Sequence, residues 1–248
     1  MPKHTTVSNT DHATISHDAV MPALAQLGGA QTLIEVSAAL ETFGQALGLP
    51  HCLMLHLGGG AQALRNAAHN LSEPVDPAAL INHDVTAALL ERPLPVLLEG
   101  QLKLRALQAG VAVAARHGNT TCVLYLGCGA AGLVPALLAE QMGLACMAAS
   151  HLADSLHRLA LADCPLTVRE LECLCFAAAG ASTKETAREL NISHRTVEEY
   201  IARCRKRLGA ESTMAAAVQA VRQGWISDAE IEALEQLSSR RQYGAGRG

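Results

Sequence analysis

Apolar positions recur with helical spacing along much of the chain, most clearly between residues 166 and 226. Two helix starts are written there. Thr167 is followed three residues later by Glu170, and Ser182 by Glu185. Each pair is a capping box, in which the hydroxyl accepts from an orphan amide N–H while the carboxylate reaches back to another. Ala179-Gly180-Ala181 supplies the stop for the first helix. A second helix is expected over residues 183–190, ending at Asn191. Ser193 then caps a third that runs to about residue 208. On that helix Val197, Ile201, Cys204 and Leu208 recur at i, i+4, i+7 and i+11 as a core stripe, and His194, Arg195, Glu198, Glu199, Ala202, Arg203 and Lys206 lie off it. Helix, short turn and longer helix make a helix-turn-helix pattern. An ordinary solvated amphipathic helix has the same two faces. A polar face that begins at the N-terminus is also what insertion into the DNA major groove needs.

The first part of the chain reads differently. Residues 1–23 are expected to be a disordered tail, followed by a domain over residues 24–160. Leu33, Val36, Leu40, Phe43 and Leu47 predict a helix that stops at Gly48. Residues 51–57 and 61–68 read as strands about a glycine turn. One helix is predicted from residue 77 to just before Arg92-Pro93, a strand over 94–98 and a helix over 102–108. Residues 111–116 and 121–126 flank His117-Gly118-Asn119-Thr120 as a hairpin. An apolar helix follows over 134–161, with a break expected near Gly143. Residues 161–165 are the linker. The fold class is therefore an α+β domain, an antiparallel sheet of about five strands flanked by helices, followed by an all-α domain over 166–226. Ser227 and Glu230 form a third capping box, predicting an extra helix over about 228–237 and then a disordered tail carrying Arg240 and Arg241.

Composition narrows the function. The chain has 248 residues, half of them hydrophobic but only 2% aromatic, so its cores must be built from Ala, Leu and Val. No run of about 18 apolar residues free of charges and breakers is present, and the polar N-terminus lacks the apolar block of a signal peptide; the expectation is a cytoplasmic protein without a membrane partner. Net charge is −4, unevenly spread: residues 165–226 carry nine basic and seven acidic side chains, residues 1–164 seven and twelve. The positive part coincides with the helix-turn-helix, as phosphate binding favours. The eight cysteines include no Cys-x-x-Cys pair and the eleven histidines no H-E-x-x-H, so neither metal nor cofactor is expected, and the thiols read as reduced core residues.

Four segments carry a family resemblance: Leu166-Thr-x-Arg169-Glu170-x-Glu172; Gly180-x-Ser182-x-Lys184-Glu185-x-Ala187; Leu190-x-Ile192-Ser193-x-x-Thr196-Val197; and Lys206-x-Leu208. Together they resemble the LuxR-type DNA-binding domain over about sixty consecutive residues, and the exit AVQAVRQGWI, residues 217–226, resembles that family's last helix. The resemblance implies a recognition helix beginning at Ser193. It also implies a DNA face of Thr183, Lys184, Ser193, His194, Arg195, Thr196, Glu198, Glu199, Ala202, Arg203 and Lys206, with double-stranded DNA as partner. Arg205 joins Lys184, Arg195, Arg203 and Lys206 as a source of non-specific affinity. Some family members carry basic residues where this chain has Glu198 and Ala202.

More weakly, residues 24–160 resemble the ligand domain of LuxR-type quorum-sensing regulators, which binds acyl-homoserine lactones and dimerises. Laid on that family's pocket pattern, Asp84 falls on the ligand-holding Asp. Leu71 and Glu99 stand in place of its Trp residues, Val75 in place of its Tyr, and Val85 in place of its Pro. Without those donors a buried ligand amide costs about 1–3 kcal/mol per unpaired group. The expectation is a domain that does not take lactones in the usual way, as in the VisN/VisR motility regulators of the same broad family. It would instead bind another small ligand, or pair as a homodimer or as a heterodimer with a related regulator. Three functions compete. The first is a dimeric sequence-specific DNA-binding transcriptional regulator, not an enzyme. The second is a partner-binding regulator that acts by heterodimerisation or sequestration. The third is an enzyme binding a nucleotide or S-adenosylmethionine through the G-x-G-x-x-G run Gly127–Gly132. No acidic residue ends a second strand about 20 residues beyond that run, and a parallel α/β fold has no room to be completed before residue 167.

Overall fold

The structure, a computed structural model, describes residues 17–58, 63–129 and 135–244. Its centre is a five-stranded sheet: β1 (His51–Gly58), β2 (Ala63–His69), β3 (Val96–Glu99), β4 (Ala109–His117) and β5 (Thr120–Cys128), in the order β2-β1-β5-β4-β3. Every ladder is antiparallel. β4 and β5 close as a hairpin on His117↔Thr120, and Gly118 adopts φ +54° at the first turn position, a conformation that glycine enters without strain.

Alternation along the strands makes two cores. Cys52 and Met54 of β1 with Cys122, Leu124 and Leu126 of β5 face α1 (His17–Gly29), α2 (Leu33–Ala46) and α5 (Pro135–Ala162). Leu53, Leu55 and Leu57 with Val123 and Tyr125 face α3 (Pro77–Ile81) and α4 (Asp84–Glu91). Because both faces are covered, β5 is a near-continuous apolar run rather than an alternating one. α5 presents Ala145, Ala148, Ala149, Leu152, Ala153 and Leu156, all fully buried. Alanines let this helix lie close on the sheet, which is how a chain poor in aromatics fills its core.

Several expected boundaries move. α1 starts at His17, inside the stretch expected to be tail, because Val20, Leu24 and Leu27 form a buried stripe against α2 and α5. The single helix expected from residue 77 is two: Asp76 caps α3, and His83 caps α4 by accepting from the Val85 amide through Nδ1. Over residues 102–108 only a 3-10 turn forms, Arg105–Leu107. α5 runs unbroken through Gly143. The last helix, α10 (Asp228–Gly244), continues well past residue 237, since the next seven residues contain neither proline nor an internal glycine. Residues 59–62, where the expected second strand begins, and 130–134, in the glycine run, lie outside the described residues.

After α5 the chain turns through residues 163–167 into α6 (Val168–Ala178), α7 (Thr183–Leu190), α8 (His194–Leu208) and α9 (Thr213–Arg222). Leu166, Leu174, Cys204, Ala216, Ala217, Ala220 and Ile226 form their core. An α+β domain followed by an all-α domain is the architecture expected.

Candidate nucleic-acid interface

Local hydrogen bonding positions α6, α7 and α8. Both expected capping boxes close. Thr167 N donates to Glu170 Oε2 at 2.8 Å while Glu170 N donates to Thr167 Oγ1 at 3.3 Å. Ser182 N donates to Glu185 Oε2 at 2.7 Å and Glu185 N to Ser182 Oγ at 3.3 Å, and the Ser182 hydroxyl and backbone bonds hold the Glu185 carboxyl below its ordinary pKa. Asn191 ends α7 in the left-handed region, φ 53°, which turns the chain into Ser193. Ser193 Oγ then accepts from Thr196 N at 3.1 Å. Cys173, Ala187 and Val197 pack at the crossing of α6, α7 and α8.

Glu170 is almost wholly buried, and Arg207 pairs with it at 3.3 Å while donating to the Pro165 carbonyl at 2.8 Å. Cys204 Sγ donates to the Glu170 carbonyl at 3.3 Å, so one residue ties α6 to the C-terminal turns of α8 through both its backbone and its side chain. Burial pushes the Cys204 thiol up to about 12, which makes it an inert core group.

Opposite the buried stripe of α8, Arg195, Glu199, Ala202 and Lys206 follow at i, i+4, i+7 and i+11, all exposed. Arg203 flanks this row, its guanidinium 5.6 Å from the Tyr200 ring centroid. Arg195 Nε lies 3.2 Å from Glu199 Oε1 and Arg203 Nη2 3.8 Å from Glu199 Oε2. One carboxylate thus spans two guanidinium groups. Exposed pairs of this kind are worth only ~0.2–1 kcal/mol. Glu199 therefore orders the arginines without sequestering them. At the N-terminus His194 Nδ1 stands 3.5 Å from Glu198. Ser193 and Thr196 are engaged in the cap, their hydroxyls 2.7 Å apart. Lys184 is exposed at the start of α7; Thr183 is half-buried in a groove of about 480 Å³ with Glu198, Ala202 and Arg205. The structure thus gathers the sequence-predicted residues on one side of α7 and α8. Arg205 is exposed as well, and its guanidinium donates to the Glu211 carbonyl at 2.6 Å across the α8–α9 turn.

The expected ligand residue fares differently. Asp84 is exposed in the first turn of α4, where its carboxylate favours the helix dipole; Val85 and Thr86 are the residues turned into the core. Of the other aligned positions Leu71 is buried in the layer under α3 and α4, Val75 packs against it, and Glu99 is exposed. The polar groups inside this apolar layer are a pair sequence reasoning missed. The Thr86 hydroxyl bonds the Leu80 carbonyl and the Tyr125 hydroxyl, and burial pushes Tyr125 up to about 12. The available signal was a rare Tyr on the same strand face as Val123. β5 is antiparallel to both neighbours, so the G-x-G-x-x-G run does not leave a parallel βαβ strand. Gly127 is small for packing reasons: a Cβ there would lie 3.0 Å from the Ala106 and Ala109 carbonyls. Among the described residues no cluster of three His, Cys, Asp or Glu suits a metal, and no helix is long and apolar enough to cross a membrane.

Residues 164–220 match the family of bacterial regulatory proteins called luxR. Over 62 residues the chain is 45% identical to the transcriptional regulatory protein YvfU of Bacillus subtilis (strain 168), covering 25% of this chain and 31% of YvfU. Over 71 residues it is 38% identical to the transcriptional activator protein VanR of Vibrio anguillarum, covering 29% and 30%. The chain therefore aligns with less than a third of either relative's length. Escherichia coli SdiA superposes with TM-score 0.53 at 18% identity over 84% of this chain and 98% of SdiA. A second SdiA structure, in complex with octanoyl-rac-glycerol, gives 0.52 at 17% over 87% and 96%. The C-terminal helices are a LuxR-type helix-turn-helix domain, and over 84% of its length the chain has the two-domain fold of SdiA.

Proposed function

With a LuxR-type helix-turn-helix as premise, we propose that this chain is a dimeric, sequence-specific DNA-binding transcriptional regulator. The observation that carries the reading is the exposed row Arg195, Glu199, Ala202 and Lys206, opposite the stripe that seats α8. The N-terminal turns of α8 enter the major groove, His194, Arg195 and Glu198 reach base edges, and Lys184, Arg203 and Lys206 neutralise phosphates. Two such helices in a dimer read half-sites about one DNA turn, roughly 34 Å, apart.

The experiment is equilibrium binding of the purified protein to duplexes recovered from a random pool. Arg195→Ala and Arg203→Ala each weaken binding at fixed salt; Arg203→Ala also lowers the slope of log K against log salt by about one, whereas Arg195→Ala relaxes sequence preference. Glu199→Ala acts in the opposite direction, raising non-specific affinity several-fold at low salt by removing a negative charge from the DNA face. Undiminished binding by both arginine variants refutes this DNA face.

A ligand is the proposed control. SdiA, of the same fold, has been solved with octanoyl-rac-glycerol. The apolar layer under α3 and α4, where the Thr86 and Tyr125 hydroxyls pair, is the part of the first domain that an acyl chain with a hydroxylated head would have to open.

A further inference from the structure

The α9–α10 corner is gripped by the first domain. The last turn of α9 leaves carbonyls that a helix cannot satisfy itself. Those of Gln219, Ala220 and Val221 accept from Gln223, Trp225 and Gly224. That of Arg222 accepts from the first domain: Arg65 Nη2 of β2 donates to it at 2.7 Å. The first turn of α10 is completed in the same way. Ser227 N donates to Glu230 Oε2 and Glu230 N to Ser227 Oγ, whereas Asp228 N donates to Asn119 Oδ1 at 3.0 Å. The other end of the same amide, Asn119 Nδ2, donates to the Ile226 carbonyl at 2.9 Å. Trp225 adds a third anchor, its indole N–H donating to the Ala160 carbonyl near the end of α5 at 2.9 Å. The corner needs Gly224 for its φ of +71°, which glycine enters without strain, rather than for space: a Cβ there would make only ordinary contacts with Arg65 Nη2 at 3.6 Å and Thr120 Oγ1 at 3.8 Å.

These contacts share two properties. They are polar and directional, so they specify one orientation across a short linker that would otherwise leave orientation open. They also sit at a half-buried rim, while Ile226 and Trp225 pack into the second domain's own core, so the corner can part from the first domain without opening either core. Asn119 stands at the tip of the β4–β5 hairpin.

We propose that Arg65 and Asn119 form an interdomain latch that sets the orientation of the helix-turn-helix. The regulatory consequence rests on the DNA-binding reading above; the latch itself does not. In a dimer, one fixed orientation means one preferred half-site spacing. A free orientation means tolerance of several.

The test uses the full chain and the double variant R65A/N119A, with R65Q alone as the milder change. The first readout is amide hydrogen exchange without DNA. Exchange at Gly224 to Asp228 speeds up about tenfold or more in the double variant, the scale set by losing these hydrogen bonds, while α6, α8 and β5 keep their protection. The second readout is binding to duplexes whose two selected half-sites are separated by one-base-pair increments. The wild type prefers one spacing; the variant profile flattens, with single half-site affinity unchanged. Unaltered exchange at the corner overturns the latch. Faster exchange with an unaltered spacing profile overturns its role in setting spacing. If the wild type binds no DNA, the exchange result still decides the latch, so the two readings fail separately. Loss of protection in α8 or β5 in the double variant marks misfolding, and R65Q then decides by the same readouts.

Discussion

His56 is a neutral imidazole in the interior of β1, and neither ring nitrogen has a hydrogen-bond partner among the described residues. Burial, with Arg65 nearby as the second cause, pushes its pKa down to about 4 from 6.5. Between those values the unfolded chain takes up the proton and the folded chain does not, so stability increases with pH across that window. The contribution is full above about pH 6.5 and lost as pH falls toward 4, a loss on the order of 3 kcal/mol. His56→Leu removes the titrating group. The melting temperature of the variant minus that of the wild type should therefore grow steadily as pH falls from 6.5 to 4.5; a constant difference would show that His56 does not titrate there. The same scale explains the cysteines: Cys52, Cys122 and Cys204 are buried thiols pushed up to about 12, so they act as small apolar groups, as their scatter in the sequence suggested.

Among the elements, the turn between α7 and α8 is the most constrained. Asn191 alone of the described non-glycine residues has a positive φ. Its amide closes α7 onto Arg188, and the amide of Ile192 returns to Ala187, so the conformation cannot relax without losing the entry angle of α8. Asn191→Gly should leave stability within a few tenths of a kcal/mol, and Asn191→Ala should cost about 1 kcal/mol, read from denaturant midpoints. Equal midpoints for the two variants would mean that the turn re-forms without the left-handed residue. The capping boxes of α6, α7 and α10 were legible because a hydroxyl and a carboxylate three residues apart are a local signal. The break between α3 and α4 was not. His83 is a weak N-cap by type, and only the burial of Ile81, Val85 and Thr86 together forces the chain to turn at Asn82.

At the scale of the molecule, two cores stand on one sheet and a small helical domain docks at one end of its strands, against the β4–β5 turn. The layer under α3 and α4 is where a ligand would act. A monoacylglycerol with an octanoyl chain should raise the melting temperature, by about 2.7 kcal/mol of stabilisation at 100 times its dissociation constant. Tyr125→Phe should reduce the shift, and acyl-homoserine lactones should produce none. A shift with lactones would show that the missing Trp and Tyr donors are replaced by other groups. No shift with either class, in folded protein, would leave the domain as a dimerisation and docking unit.

The sequence by itself determined the second domain. Caps, breakers and a stripe of period 3.6 are all local, and they placed α6 to α9, the buried Val197 and Cys204 and the outward Arg195 and Lys206 without reference to anything distant. It also determined that the first domain has helices and an antiparallel sheet. Only the tertiary structure decided which side of each strand meets which layer. That choice exposes Asp84, joins Thr86 to Tyr125 across 39 residues, makes core of Val20, Ala23, Leu24 and Leu27 on one face of α1, and brings Arg65 and Asn119 onto the α9–α10 corner. Those outcomes depend on pairings far apart in the chain, and no local period or cap encodes them.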